Sequence, residues 1–298
     1  MIMQVHPKMI FDRNNWSLAA IRLFKHISGY LSKINNKMDN KVLIILGCQR
    51  SGTSLIYWIF ERDWKTKIFR EKSILSSRDT EGLRLNPYRQ VLREFEKHGK
   101  RLIIIKPLVE SQNAHLLLSN IPNSQILWMY RHYNDVVSSN LKAFGRNNGI
   151  DDLRPIVYNQ RKNWRCQKVS DETQATICKH FSESMNPFDA AALYWYARNQ
   201  LFFDRKLYIH QKVLLCKYED LVSFPEKTMK MVYRFMGYHY PGNRILKAIH
   251  SKSVGKGKSV NLSKNIAQLC GELLSRLDDC YRSKGAKVHD DPRYLKYL

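Results

Sequence analysis

The loop Gly47–Ser54 carries residue types and a spacing suited to binding an anion. It reads GCQRSGTS, follows a short apolar run and precedes a helical pattern. Compared with the phosphate-binding pattern G-x-x-x-x-G-K-[ST], both glycines and Ser54 are in place, but Thr53 replaces the lysine. Backbone amides and a helix N-terminus can cradle an anion without that lysine. Arg50 supplies a cation within the loop, which favours an anion shorter than a magnesium-bound triphosphate.

A second set of anion-binding side chains follows the apolar run Ile126–Tyr130. Arg131 comes directly after this run, and Ser139 lies in the next helical pattern, for which Asn134 or Asp135 is the expected cap. Arginine offers a fork of donors and serine a hydroxyl, and both suit a phosphate. The pattern predicts a phosphate site at a strand end. An ordinary ion pair between Arg131 and Asp135 is the alternative interpretation.

These two segments together resemble PAPS-dependent sulfotransferases of the bacterial type. Gly47–Ser54 is similar to the loop that holds the 5′-phosphosulfate of 3′-phosphoadenosine 5′-phosphosulfate (PAPS) in that family. Arg131 and Ser139 match the spacing of the pair that holds the 3′-phosphate. The resemblance implies PAPS as co-substrate. Since no residues have metal-ligand spacing, no metal is expected.

Two further segments extend the likeness over roughly residues 41–258. Lys217–Pro225, which includes Tyr218, resembles the family's tyrosine-acidic-acidic-leucine segment. Ser253–Lys258 resembles a late loop that folds over the nucleotide, with Lys256 where an arginine is usual. A lysine supplies the charge without bidentate geometry. The nucleotide-binding residues implied by the resemblance are Arg50, Ser51, Gly52, Thr53, Ser54, Arg131, Ser139, Tyr218 and Lys256.

The chemistry of sulfuryl transfer assigns roles to two cations. Like phosphoryl transfer, it is an in-line displacement in which the leaving phosphate must be neutralised and the acceptor positioned. Arg50 and the amides of residues 51–54 suit the leaving 5′-phosphate. Lys106 follows the apolar run Leu102–Ile105, so it can reach the sulfonate or the bridging oxygen.

A base for the acceptor hydroxyl is also required. Aryl and steroid enzymes of this superfamily carry a histidine shortly after the position of Lys106, and this chain has none there. Glu71 resembles the glutamate base of tyrosylprotein and many carbohydrate sulfotransferases, and we predict that it is the base. A solvated surface acid is the alternative interpretation of Glu71. Glu110 and His132 are the competing bases.

The elements that must position these residues are short strands alternating with helices. This alternation predicts an α/β fold with a central parallel sheet flanked by helices, and ligands at the carboxyl ends of the strands. The resemblance implies the P-loop NTPase-like sulfotransferase fold. The predicted strands are Val42–Leu46, Leu102–Ile105, Ile126–Tyr130 and Val213–Cys216. The predicted helices are Ser54–Arg62, Leu83–His98, Ser111–Ser119, Asn134–Phe144, Asp151–Val169, Phe188–Ile209, Tyr218–Met236 and Ser263–Arg282.

We interpret residues 1–298 as one sulfotransferase domain. Residues 1–40 contain an amphipathic helix, Trp16–Ile34, which either packs on the domain or contacts a membrane surface. Residues 41–258 form the PAPS-binding core, with an acceptor-binding helical region at about 145–210. A C-terminal helix occupies residues 259–298.

The net charge and the cysteines limit which partners and which cellular compartment are expected. Fifty Lys+Arg against 26 Asp+Glu give a formal charge of +24, which creates a positive field attractive to anions. These residues are spread along the chain rather than gathered in an arm, so nucleic acid is not an expected partner. No signal peptide or membrane span is predicted. Cys48 and Cys216 end apolar runs, where buried free thiols are common, so we expect a reduced cytoplasmic protein, peripheral to a membrane if its N-terminal helix binds one. In an exported protein, Cys166–Cys178 or Cys270–Cys280 could pair.

The expected acceptor is a saccharide hydroxyl on a glycan that is acidic or membrane-linked. The glutamate base and the excess of positive charge both favour this class. Trp164, Tyr194, Trp195 and Tyr196 fall in the predicted acceptor region, where they would stack on sugars or pack in the core. Two other function classes stay open: a P-loop nucleotide kinase, and a non-enzymatic binder of an anionic polymer or membrane.

Overall fold

The computed structural model describes residues 17–23, 40–79, 82–98, 102–107, 109–247, 249, 254–255, 257 and 260–290. Its strands are β1 (Lys41–Gly47), β2 (Thr66–Phe69), β3 (Ser76–Asp79), β4 (Gly82–Leu85), β5 (Leu102–Ile105), β6 (Ser124–Tyr130) and β7 (Val213–Lys217). Five of them form a parallel sheet in the order β2-β5-β1-β6-β7. β3 and β4 form a separate antiparallel hairpin.

Helices cover both faces of the sheet. They are α1 (Thr53–Glu61), α2 (Tyr88–Glu96), α3 (Ala114–Asn120), α4 (Tyr133–Phe144), α5 (Asn148–Val157), α6 (Asp171–His180), α7 (Pro187–Asp204), α8 (Tyr218–Ser223), α9 (Pro225–Phe235) and α10 (Lys264–Asp290). Alternate β1 side chains enter different apolar clusters, because successive strand residues point to opposite faces. Ile44 joins the cluster that contains α7 and α10, and Ile45 joins the cluster that contains α1 and α9. The predicted α/β class and central parallel sheet are therefore confirmed.

The four predicted strands are present, but several predicted helices were wrong in extent. The Asp151–Val169 helix ends at Val157, and Asn159 and Lys168 take left-handed backbone conformations (φ 51° and 63°) that a helix cannot contain. The start of the Leu83–His98 helix is strand β4 instead. Pro225 divides the helix predicted over Tyr218–Met236, since proline suits a first helical turn and not an interior.

Only residues 17–23 of the predicted N-terminal amphipathic helix belong to the part of the chain that the structure describes. Residues 18–23 are helical, Ile21 is buried, and Arg22 forms an ion pair with Glu61 of α1 at 2.9 Å. This turn therefore contacts the domain. Within the described ranges, none of the helices has both the length and the hydropathy of a membrane span.

Candidate active site

The loop between β1 and α1 forms a cradle at the carboxyl edge of the sheet. Arg50 and Gly52 both have left-handed backbones, with φ of 65° and 89°. A Cβ on Gly52 would lie 2.3 Å from Cδ2 of Tyr218, so only glycine fits there. Within the described part of the chain no side chain caps α1, so its first amides remain available to an anion. Ser51 is fully buried, and its hydroxyl has no hydrogen-bond partner among the described residues. The loop therefore presents hydrogen-bond donors of the kind that bind an anion.

Arg131 lies at the end of β6 in a buried position. Its guanidinium donates a hydrogen bond to Asp135 at 3.0 Å and lies 4.2 Å from the ring centroid of Tyr218. The indole N–H of Trp195 donates to the Arg131 carbonyl at 3.1 Å. The ion pair with Asp135, considered above as an alternative to a phosphate site, is thus present. Tyr218 contacts both Arg131 and Gly52, and so it joins the two predicted anion-binding segments.

Arg50 and Ser139 also bring these segments together. The Nε of Arg50 donates a hydrogen bond to the Ser139 hydroxyl at 3.0 Å, although the two residues are 89 positions apart. The Arg50 guanidinium lies 5.8 Å from the ring centroid of Phe144, at the end of α4. The cation predicted for the 5′ end of the nucleotide therefore lies beside the serine predicted for its 3′ end.

Glu71 and Lys106 meet at the same edge of the sheet. β2 pairs with β5 in a register that places Phe69 opposite Ile105, so the residues that follow both strands are neighbours. Lys106 forms an ion pair with Glu71, and its ammonium donates to the Ser54 hydroxyl at 3.0 Å. The side chains of Lys106 and Glu71 keep 15% and 30% exposure, which leaves them accessible to a substrate. A carboxylate, a cation and the end of the phosphate loop are thus contiguous.

Glu110, a competing base, is fully engaged in structural contacts. Its carboxylate accepts hydrogen bonds from Arg84 at 2.9 Å, from the Leu85 amide at 3.3 Å and from Asn113 at 2.6 Å. The residue is only 5% exposed. These contacts tie the β3–β4 hairpin to the segment after β5. These contacts favour a role for Glu110 in positioning that hairpin over a role in proton transfer.

His132, the other competing base, caps α4. Its Nδ1 accepts a hydrogen bond from the Asn134 amide at 3.2 Å, and its ring stacks on Tyr133. The expectation that Asn134 or Asp135 would cap this helix was wrong. Burial is the main cause of a lowered pKa for His132, and the carboxylate of Glu219 opposes this shift. A neutral ring with Nδ1 as acceptor matches the capping geometry.

Asp135 contacts the late loop, a connection that the sequence reasoning missed. Its carboxylate accepts hydrogen bonds from the amides of Gly255 at 3.0 Å and Gly257 at 2.7 Å. The two glycines flanking Lys256 were the available signal, because glycine permits close backbone approach. Lys256 itself lies outside the described residues.

The aromatic residues predicted as sugar-stacking candidates are mainly core residues. Trp164, Tyr194 and Trp195 are buried, and Tyr196 is partly buried against the same cluster. The stacking interpretation was therefore wrong for the first three residues. α7 buries most of its surface because it packs against α4, α5 and α10. Among the residues that the structure describes, no group of three or more His, Cys, Asp or Glu could hold a metal ion.

The chain also matches a known protein family. A family model for the sulfotransferase domain matches residues 40–276. The chain belongs to this family and is a transferase. Membership favours sulfuryl transfer over both the nucleotide kinase and the non-enzymatic binder.

Several solved structures resemble the chain at low sequence identity. The sulfotransferase domain of the Synechococcus PCC 7002 olefin synthase is 15% identical, with 82% of this chain and 96% of that chain covered and a TM-score of 0.47. A sulfotransferase from Alicyclobacillus acidocaldarius is 13% identical, with coverages of 85% and 98% and a TM-score of 0.44. Mouse sulfotransferase SULT7A1 complexed with PAP is 14% identical, with coverages of 88% and 92% and a TM-score of 0.41. No curated protein matches the chain.

Proposed function

We propose that this chain transfers a sulfuryl group from PAPS to a hydroxyl of an acidic saccharide. The observation that carries the proposal is the Arg50–Ser139 hydrogen bond of 3.0 Å, which joins the two predicted phosphate sites at one edge of the sheet. A donor with phosphate groups at both its 5′ and 3′ positions would engage both sites at once. PAPS is the sulfuryl donor used by this family, and it has that arrangement.

The residues of the site divide into two groups by position. Gly52 and the first amides of α1 would hold the 5′-phosphosulfate, with the buried Ser51 hydroxyl as a further donor. Arg131 and Ser139 would hold the 3′-phosphate. The ring of Tyr218 lies against the Arg131 guanidinium and would orient it toward that phosphate. Charge-assisted donors of this kind give the nucleotide both affinity and a fixed register.

The acid and cations nearest the phosphate loop would carry the transfer. Glu71 would accept the proton of the attacking hydroxyl. Lys106, held between Glu71 and Ser54, would neutralise charge that develops on the transferring group and the bridging oxygen. Arg50 would stabilise the leaving 5′-phosphate. No atom changes its oxidation state in this transfer. The proton of the attacking hydroxyl is taken up by Glu71.

An acidic saccharide is supported by charge and by exposed rings beside the site. The formal charge of +24 would concentrate a polyanion. Trp58 of α1 is 41% exposed, and the guanidinium of Arg70, next to Glu71, lies 5.2 Å from its ring centroid. Phe144 is 50% exposed beside Arg50. An aromatic face next to a cation suits a sugar ring that carries a carboxylate or sulfate.

A transfer assay with labelled PAPS and a panel of acceptors tests the proposal. The panel should contain acidic glycans, neutral oligosaccharides, a tyrosine peptide and a simple phenol. We expect sulfated product from the acidic glycans, with an acceptor KM that rises steeply from low to physiological ionic strength while the KM for PAPS changes less. Efficient sulfation of the phenol without salt dependence would contradict the acceptor class. Absence of PAPS turnover with every acceptor would contradict the reaction.

A further inference from the structure

One buried carboxylate holds together the arginine at the end of β6 and the late loop. Asp135, in the first turn of α4, is 5% exposed. Its Oδ2 accepts hydrogen bonds from Arg131 at 3.0 Å and from the Gly255 amide at 3.0 Å, and its Oδ1 accepts one from the Gly257 amide at 2.7 Å. The chain separation to Gly257 is 122 residues, so this contact is the product of the tertiary fold and not of local geometry.

The late loop also packs directly against the backbone next to this carboxylate. A Cβ on Gly257 would lie 2.3 Å from the carbonyl carbon of Asn134 and 2.6 Å from the amide nitrogen of Asp135. Any side chain would therefore push the loop away from α4. Close approach of the backbone is a condition for the two amides to reach Asp135.

The same contacts keep Asp135 ionised. Burial by itself would raise the pKa of this carboxyl, but hydrogen bonds from Gly257, Arg131 and Gly255 outweigh it and leave the pKa below its ordinary value. An anion at this position attracts the Arg131 guanidinium and orients it across the Tyr218 ring, 4.2 Å away. A carboxylate does not itself bind phosphate, because both groups are anions.

We propose that Asp135 is a positioning residue for recognition of the 3′-phosphate: it fixes the Arg131 guanidinium and ties the late loop at Gly255 and Gly257 beside it. The inference rests on PAPS as the proposed donor. The 3′ end is remote from the reacting sulfur, so the contribution of Asp135 belongs to nucleotide affinity. Loss of this carboxylate raises the KM for PAPS and leaves kcat at saturating PAPS nearly unchanged.

Asp135→Asn tests the proposal, because it keeps the side-chain size and replaces an acceptor oxygen with a donor. Asp152→Asn is the matched control: Asp152 is also buried, ion-paired with Arg165 and bonded by Asn148 at 2.8 Å, yet its partners are not nucleotide-site residues. Titration calorimetry should compare adenosine 3′,5′-bisphosphate (PAP) with adenosine 5′-phosphate, and thermal unfolding should report the fold of each variant.

We expect Asp135→Asn to weaken PAP about 10- to 100-fold while adenosine 5′-phosphate changes little, and Asp152→Asn to leave this preference intact. Gly257→Ala should also reduce the preference, because it displaces the loop and leaves both members of the Arg131–Asp135 pair in place. This second variant supplies the answer if Asp135→Asn does not fold.

The role of Asp135 is overturned by equal weakening of both nucleotides in Asp135→Asn, and also by an equal loss of preference in Asp152→Asn. A wild-type protein that does not prefer PAP over adenosine 5′-phosphate would instead defeat the PAPS donor, and the role of Asp135 with it. If the wild type prefers PAP and both Asp135→Asn and Gly257→Ala keep that preference, the role of Asp135 is wrong and the PAPS donor still stands.

Discussion

Lys106 and Glu71 form an ion pair across the ends of two neighbouring parallel strands. The ammonium of Lys106 also donates to the Ser54 hydroxyl at 3.0 Å, at the start of the helix that follows the phosphate loop. The proposed base is therefore linked through one side chain to the loop that would hold the sulfuryl donor. This geometry places the carboxylate that would accept the proton next to the loop that would hold the transferring sulfuryl group.

Replacing Glu71 with glutamine should affect turnover and spare nucleotide binding. The change keeps the shape of the side chain, but the amide cannot take up the proton of the attacking hydroxyl. We expect kcat to fall by about 10²–10⁴ with little change in the affinity for PAP. Steady-state assays with saturating PAPS and calorimetry with PAP measure the two quantities.

Glu110→Gln is the matched control for this experiment. Glu110 is buried and paired with Arg84 at 2.9 Å, so neutralising it should lower the free energy of unfolding by about 1–3 kcal/mol. The fraction that stays folded should retain near-normal kcat. Near-normal turnover in Glu71→Gln, together with a large loss of kcat in folded Glu110→Gln, would show that the base has been misassigned.

Arg131→Ala and Ser139→Ala should separate the two ends of the nucleotide. Each removes a contact proposed for the 3′-phosphate, so PAP should bind more weakly by roughly 1.5–3 kcal/mol. Adenosine 5′-phosphate should change little in Arg131→Ala, whereas Ser139→Ala also removes the hydrogen bond from Arg50. Arg50→Ala provides the contrast, because Arg50 is assigned to the 5′ end and its loss should weaken both nucleotides. Equal weakening of both ligands by Arg131→Ala would contradict the assignment.

Gly52→Ala should disrupt the phosphate loop. Its φ of 89° is strained for any residue with a Cβ, and that Cβ would lie 2.3 Å from the Tyr218 ring. Gly242→Ala is the control, since Gly242 has a φ of 90° and nothing within 4 Å of its Cβ position. Both variants carry a backbone penalty of about 1–3 kcal/mol, because both glycines hold backbone conformations that L side chains rarely adopt. Only Gly52→Ala should weaken PAP, by about 10-fold or more. Loss of PAP affinity in Gly242→Ala as well would point to a general effect of strain.

The lowered pKa of His132 predicts a pH dependence of stability. Burial lowers its pKa below 6.5, so the neutral ring is favoured in the folded state. Its contribution is fully present above pH 6.5 and is lost as the pH falls from there through the folded pKa. His132→Asn keeps a capping acceptor and does not titrate. Urea unfolding at pH values on either side of 6.5 should show a smaller pH dependence in this variant than in the wild type. An unchanged dependence would assign the effect to other groups, such as His210, whose pKa is also lowered by burial.

The fold class was predictable because its signals are local. Apolar runs such as Val42–Leu46 are too short for helices, and a helical pattern follows each one, which is typical of parallel βαβ units. The site segments follow from the same logic, since Arg131 and the loop Gly47–Ser54 come directly after buried strands. Strand β2 and the β3–β4 hairpin were harder to predict. Their strands have four residues each and carry polar side chains, so they lack a clear pattern.

Contacts between distant segments were not predictable from one sequence. Nothing near Glu110 indicates that Arg84 and the Leu85 amide satisfy its carboxylate. Asp135 resembles an ordinary helix-cap residue until the fold brings Gly257 to it. Trp195 lies in a sequence that could equally line a pocket, and only the packing of α7 shows that it is fully buried.

Binding of PAP, compared with ATP and magnesium, tests the central claim most directly. The protein should be heated with PAP, with and without EDTA, and with ATP in magnesium, all at one ligand concentration of about 100 times the Kd of PAP. Ligand at about 100 times Kd adds roughly 2.7 kcal/mol of stability, so PAP should raise Tm by about 5 °C or more, and ATP with magnesium should raise it far less. A larger shift with ATP and magnesium, or a PAP shift that EDTA abolishes, would contradict a metal-independent PAPS site.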